Sequence, residues 1–324
     1  MTITDLGAHP FTLRQLQYAV AVAESLSFRG AAERCHVSQP SLSAQIAELE
    51  AALGVALFER DRRRVLVTAA GKPLLERARR LLVEAQDLVG AARHAGDPLV
   101  GTLRIGVLPT ISPYLLPTAT PALRAAYPHL TTRWVEDKTA VLARALEHGA
   151  LDAALLALEA ELGDVEHAVV ANDPFVLATR PDDPLAARSS PARPAELRQA
   201  QVLLLDEGHC FREQALAYCS SARVRELEFR ATGLTTVAQM VAGGVGVTLL
   251  PQLAVATEAQ RARLHVRAFA RPVPHRTIAL VWRRRSPMAD ALRKIAGTLR
   301  ASYPRYKGLE SRPATWPARC GVAP

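Results

Sequence analysis

Cys210 and Cys219 bracket the run Phe-Arg-Glu-Gln-Ala-Leu-Ala-Tyr, whose composition reads as helix. Nine residues of α-helix carry two Cα atoms ~13.5 Å apart and half a turn out of phase, whereas a disulfide needs them ~4.4–6.8 Å apart. Bonding this pair would require the helix to unwind, so that an oxidation becomes a refolding event. The neighbours suit a reactive sulfur. His209 is adjacent, Arg212 is one helical step away, and a helix N-terminus at Cys210 adds positive potential, all of which favour the thiolate. Two reduced cysteines, at least one of them in a core, are the commoner arrangement in a cytosolic chain, and the spacing leaves both readings open. Cys35 lies on an apolar helical stripe as a small core residue. Cys320 stands among Pro317, Arg319 and Gly321 in a C-terminal tail and is assigned no role.

The elements that must position the pair belong to an α/β pattern beginning after the turn Gly96-Asp97-Pro98. A strand over 103–107 ends at Pro109-Thr110. A helix to Ala126, a strand near 132–135, a helix from Thr139 to His148 and a strand over 153–158 follow. This βαβαβ order predicts a parallel sheet with covering helices, and ligands of such sheets meet the loops beyond the carboxyl ends of the strands. Thr110 and Thr139 stand at those ends, where either hydroxyl could also simply cap the helix that follows. Asn172-Asp173-Pro174 introduces a new strand at 175–177, a Pro-rich loop spans 181–194, and the strand 202–205 leads into Cys210. The glycines at 243–246 follow a helix and lack a Lys-Ser/Thr partner, which excludes a phosphate loop. The strand 277–282 and the helix 290–301 return to complete the first of two lobes.

The first 60 residues read as short helices. Leu13, Leu16, Val20 and Ala23 form one stripe; Phe28, Ala31, Ala32 and Cys35 form a second after a cap at Ser27; Leu42, Ile46, Leu49 and Leu53 form a third after a cap at Ser38, with Pro40 in its first turn and Gly54 as its stop. Only His36 and Val37 separate the second helix from the cap of the third, which fits a helix-turn-helix. Ser38, Gln39, Pro40, Ser41, Ser43 and Gln45 line the end offered to a major groove, with Gln39 and Gln45 as base readers and Ser41 and Arg34 on phosphates. Arg60, Arg62, Arg63 and Arg64 then precede a β-rich run, as in the tip of a basic wing. From Thr68 to about His94, Leu74, Ala78, Leu81, Ala85, Leu88 and Ala92 form a heptad seam that a second copy would bury.

With 324 residues, of which 49% are hydrophobic and 22% charged, the chain is an ordinary globular one of two or three domains. No apolar run approaches a membrane span and the start lacks a leader, so a cytoplasmic protein without a membrane is expected. No metal or cofactor is called for. The net charge of +9 suggests nucleic acid. Residues 1–98, however, carry only +1 and residues 99–260 carry −5; residues 261–324 hold +13, so the sum says little about the helices that would touch DNA.

The segment from Leu13 to Gly71, with Ala-Ala-Glu-Arg-Cys-His-Val-Ser-Gln-Pro-Ser-Leu-Ser, closely resembles the DNA-binding domain of LysR-type transcriptional regulators. That resemblance implies a winged helix-turn-helix, mainly α, a long linker helix that dimerises, and a two-lobed α/β sensor domain related to periplasmic binding proteins. Gly-His-Cys-Phe-Arg-Glu-Gln at 208–214, Phe-Arg-Ala-Thr at 229–232, Leu-Pro-Thr-Ile-Ser-Pro-Tyr at 108–114 and Arg-Thr-Ile-Ala-Leu-Val at 276–281 resemble its hydrogen-peroxide-sensing OxyR branch. By that resemblance Cys210 is the peroxidatic cysteine and Cys219 the resolving one. His209, Thr110 and Thr139 place peroxide, and Arg276 is a cation near the thiolate. The implied domains are 11–70 for DNA binding, 71–95 for the linker and 99–301 for the sensor, with lobe I at about 99–172 and 271–301, lobe II at about 173–270 and a mobile tail at 302–324. The implied partners are promoter DNA, a homodimer and homotetramer, RNA polymerase and a thiol reductant. The chain departs from the branch at Gly233, where Ser is frequent, and at Glu213, where Asp is common. Two alternatives are a LysR-type regulator holding a small carboxylate between Thr110 and Thr139, and a thiol peroxidase.

Overall fold

Short, well-capped helices open the chain in the computed structural model, which describes residues 9–304 except 62–63, 94–97, 189–190, 199, 209, 220–224 and 228. Helix α1 (Leu13–Ser25) starts in a capping box between Thr12 and Gln15. Helix α2 (Phe28–Arg34) starts where the Ser27 hydroxyl accepts from Gly30 N–H at 3.1 Å. Helix α3 (Gln39–Leu53) is capped by Ser38, accepts Pro40 in its first turn and stops at Gly54, whose φ of 65° suits glycine. These caps fall where the sequence places them because each satisfies orphan N–H groups that short helices cannot leave to chance. Leu16, Val22, Ala31, Leu42, Ile46 and Leu49 form the core they enclose.

Strands β1 (Phe58–Asp61) and β2 (Arg64–Val67) pair antiparallel with Asp61 opposite Arg64, making the wing. The Glu50 carboxylate accepts from Leu57 N–H at 2.7 Å and Phe58 N–H at 3.1 Å, tying the base of the wing to α3. Helix α4 (Gly71–Arg93) follows, capped by the Thr68 hydroxyl. It buries Leu75 and Ala78, and half-buries Leu74 and Leu82, against that core. Farther along, Leu81 (49%), Leu88 (72%) and Val89 (49%) stay exposed.

The chain divides after Arg93 into a second compact unit. Its strand β3 (Gly101–Val107) lies between β4 (Leu130–Glu136) and β5 (Ala153–Ala157) and is parallel to both, with crossovers through α5 (Ser112–Ala126) and α6 (Thr139–Glu147). Strand β6 (Val165–Thr179) is 15 residues long. Its first part pairs with β11 (His275–Arg283), and its last residues pair with β9 (Val247–Pro251) and β10 (His265–Ala268). The sequence reading begins a new strand after Asn172-Asp173-Pro174; instead one strand runs straight through. Pro174 lacks an N–H, and β6 tolerates it because its neighbour Phe175 bonds to the carbonyl of Pro274.

Helix α10 (Ala289–Ser302) packs on α5 and β6 and closes the first apolar core. A second core gathers Phe175, Leu177, Phe211, Ala215, Val237, Leu249 and Phe269 around β7 (Gln201–Leu203), β8 (Arg225–Glu226) and α8 (Leu234–Ala242). Helix α7 (Cys210–Cys219) is shared. Phe211 and Ala215 belong to the second core, whereas Cys210 is buried in the first. A short helix α9 (Gln252–Ala254) continues into a π-helical turn at Val255–Ala259. The tail beyond residue 304, including Cys320, lies outside the described residues.

Candidate functional site

The first residue of α7 is Cys210, reduced and 6% exposed. Facing it across the lobes is Arg276, wholly buried on β11. Its Nε donates to Asp173 Oδ2 at 2.9 Å, its Nη1 to the Thr110 hydroxyl at 2.6 Å and its Nη2 to the Thr110 carbonyl at 3.0 Å. The guanidinium carbon lies 5.9 Å from the centre of the Phe211 ring, one residue beyond the cysteine. Asp173 is equally buried, and its other oxygen accepts from Leu253 N–H at 2.9 Å.

Neither threonine caps a helix. Ile111 and Lys138 occupy the cap positions of α5 and α6 without side-chain bonds. The Thr110 oxygen accepts from Arg276, so its proton points elsewhere. Thr139 is buried, and its hydroxyl has no partner at full hydrogen-bond geometry among the described residues, yet it stands near enough to stabilise charge on the Cys210 sulfur.

Burial pushes the Cys210 thiol up, against the pull of Thr139, of the Arg276 charge and of the Phe211 N–H. Glu159 adds to the rise. The expectation that the surroundings favour thiolate at rest is therefore corrected, because desolvation outweighs Arg276 and the hydrogen-bond donors. Arg212 is engaged elsewhere: it donates to the Leu205 carbonyl at 3.2 Å and pairs with Glu226. His209 lies outside the described residues, and of Cys219 only the backbone is described, closing α7. Alkylation of Cys210 by iodoacetamide, followed on its own peptide, should rise about tenfold per pH unit from ~6 to ~8.5. A plateau beginning below pH ~7.5 would contradict the raised value.

At the other end of the chain, Gln39, Pro40 and Ser41 are exposed on the first turn of α3, and Ser43 is half-buried. Three neighbours are engaged within the protein. The Ser38 oxygen accepts from Ser41 N–H, Gln45 donates to Glu48 at 2.9 Å, and Arg34 pairs with Glu24 at 2.9 Å. Arg64 is exposed; Arg62 and Arg63 lie outside the described residues, and Arg60 is described by its backbone alone. Gly233 leaves α8 without a side-chain cap and has open space where a Cβ would stand.

Sequence reasoning missed Asp173, Glu159, Lys138 and the bond from the Tyr114 hydroxyl to Glu258 at 2.8 Å, which joins the two lobes and, with burial, pushes the Tyr114 phenol up. Lys138 donates to the Glu207 carbonyl at 2.8 Å and so holds the loop that precedes Cys210. Such pairs sit tens of residues apart and leave no periodic trace; only the Asp-Pro step at 173–174 marks one of them.

Residues 13–72 match the family described as bacterial regulatory helix-turn-helix protein, lysR family, and residues 96–304 match the LysR substrate binding domain. A probable hydrogen peroxide-inducible genes activator of Mycobacterium avium is 46% identical over 291 residues, 89% of this chain and 93% of that protein. A full-length OxyR variant from Pseudomonas aeruginosa superposes with a TM-score of 0.72 at 36% identity, covering 90% of this chain and 95% of that one. A hydrogen-peroxide-bound OxyR mutant from Corynebacterium glutamicum gives 0.62 at 35% identity, covering 90% and 92%.

Proposed function

Because this chain belongs to the LysR family of bacterial helix-turn-helix regulators, we propose that it is a DNA-binding transcription regulator that senses hydrogen peroxide at Cys210. The observation that carries the reading is the placement of this sulfur, buried at the start of α7 beside the Thr139 hydroxyl and the charge of Arg276, which in turn holds Thr110. The charge of Arg276 is already partly offset by Asp173 at 2.9 Å. A small carboxylate would gain little from it, while neutral peroxide needs only hydrogen bonds. This favours peroxide over a metabolite.

The Cys210 sulfur attacks one peroxide oxygen and the O–O bond breaks. The leaving oxygen takes the thiol proton and departs as water, and the sulfur becomes a sulfenic acid. The Thr110 proton, turned away from Arg276, and the unpartnered Thr139 hydroxyl orient the peroxide and stabilise the charge that moves onto the leaving oxygen. His209, next to Cys210 in the sequence, adds a further donor, and Arg276 holds Thr110 in place. The Cys219 thiol then displaces water from the sulfenic acid to form the disulfide, and a thiol reductant later restores both thiols. Closing the bond unwinds α7, remodels residues 210–230 and shifts the dimer or tetramer on promoter DNA. The sensing is stoichiometric, since each cycle refolds a helix, and the protein does not act as an enzyme.

Two copies pair through the exposed Leu81, Leu88 and Val89 of α4. Gln39 and Gln45 read bases; Ser38, Pro40, Ser41, Ser43 and Arg34 position the helix end, and Arg60, Arg62, Arg63 and Arg64 meet phosphates, with RNA polymerase as the downstream partner. Among the described residues no helix is long and apolar enough to cross a membrane, which agrees with work in the cytoplasm. Substoichiometric peroxide should yield a Cys210–Cys219 peptide on non-reducing digestion, together with a changed promoter footprint. Cys210 modified while Cys219 stays free throughout would sink the disulfide mechanism.

A further inference from the structure

From the bridge that Glu159 makes between β11 and α7, we propose that this residue sets the peroxide threshold of Cys210, tethering the resting helix and standing a negative charge beside the sulfur. The inference rests on the peroxide-sensing reading and adds to it a positioning residue beyond Thr110, Thr139 and Arg276. Glu159 follows β5 by two residues. Its Oε1 accepts from Thr277 N–H at 2.7 Å, immediately after Arg276 on β11. Its Oε2 accepts from Gln214 Nε2 at 3.3 Å. Gln214 lies four residues after Cys210, so the two share one face of α7, and the carboxylate is thereby drawn to the side of the helix that carries the sulfur.

The charged groups around Cys210 then oppose one another. Arg276 approaches from β11 with its charge offset by Asp173, and Glu159 approaches from the end of β5. Thr139 from α6 is neutral, and Lys138 beside it is engaged with the Glu207 carbonyl and, at 3.6 Å, with Asp206. The α7 backbone contributes the Phe211 N–H. With the Arg276 field partly cancelled by Asp173, the acid at Glu159 adds to burial in keeping the proton on sulfur. Being exposed, it acts through partly screened charge. The tether works in the same direction, because α7 must leave the first lobe before Cys219 can reach Cys210.

Two substitutions separate charge from tether. Glu159→Gln keeps an acceptor for Thr277, and its amide can donate to the Gln214 Oε1, which is buried without a partner; only the charge is lost. Glu159→Ala loses both. In the reduced full-length chain, both variants should speed alkylation of Cys210 at pH 7 by about three- to tenfold and shift its pH profile to lower pH by the same factor. Glu159→Ala should also form the Cys210–Cys219 bond faster once the sulfenic acid is present. Alkylation within twofold of the parent at every pH in both variants, or acceleration in the alanine variant alone, overturns the proposal. If peroxide fails to oxidise Cys210 in the parent chain, the sensing reading falls instead, and the alkylation profiles still decide the role of Glu159.

Discussion

Asp173→Asn is expected to destabilise the second unit by about 3–5 kcal/mol while making Cys210 react faster. The two effects share one cause. Arg276 and Asp173 are both fully buried and meet at 2.9 Å, so each charge is tolerable in the interior only because the other is there. Asparagine still accepts from Leu253 N–H but brings no charge, and the guanidinium is left with the two Thr110 oxygens as its remaining partners among the described bonds. An uncompensated buried cation is costly, and the loss is a large part of the ~5–15 kcal/mol that holds an ordinary domain together. The same bare cation now acts on the sulfur at full strength and favours its thiolate. Urea unfolding followed through the buried Trp282, set beside iodoacetamide alkylation of Cys210, gives both readouts. An unchanged unfolding midpoint, or slower alkylation, would contradict the account.

Gly71→Ala should disable the first unit by a steric route. A Cβ at this position would stand 2.5 Å from the Leu57 carbonyl oxygen, 3.0 Å from the Leu57 Cα and 2.9 Å from the Thr68 hydroxyl oxygen. Leu57 cannot retreat cheaply, because its N–H is held by Glu50 at 2.7 Å and its carbonyl accepts from Thr68 N–H at 3.0 Å. The start of α4 and the base of the wing must part, at a cost of about 3 kcal/mol, and the wing is displaced from α3. Binding to a promoter fragment should weaken by about tenfold or more, an effect equivalent to ~1.4 kcal/mol, while alkylation of Cys210 is unaffected. Binding equal to that of the parent would show that the wing geometry does not matter for DNA.

The elements most legible in the sequence are those whose signals are local. Ser27, Ser38 and Gly54 mark helix ends because capping is decided within four residues, and the alternation over 101–157 announces a parallel sheet because each strand carries its own apolar pattern. Cys210, Thr110, Thr139 and Arg276 are also recognisable, through motif rather than periodicity, and the structure brings them to one place. What was not legible depends on burial and on distant pairing. The acidity of Cys210 is one such property, since charge neighbours can be read along the chain whereas desolvation depends on the first core closing over the sulfur. Arg212 is only two residues from Cys210 in sequence and yet pairs with Glu226, because that offset on α7 puts it on a different face of the helix. Asp173 stands 103 residues before its partner, and no spacing rule joins them.

Strand β6 has a mechanical consequence. Its 15 residues extend for about 50 Å, and its pairing passes from β11, with one register shift between Ile278 and Ala279, to β9 and β10, splinting the two lobes into one beam. Opening or closing the lobes like a jaw would have to shear that ladder. The compliant part is α7, one end of which is fastened to the first core by Cys210 and the rest to the second by Phe211 and Ala215. A bond drawn between Cys210 and Cys219 would therefore load that helix before it loads the sheet, since α7 alone carries both cysteines and touches both cores.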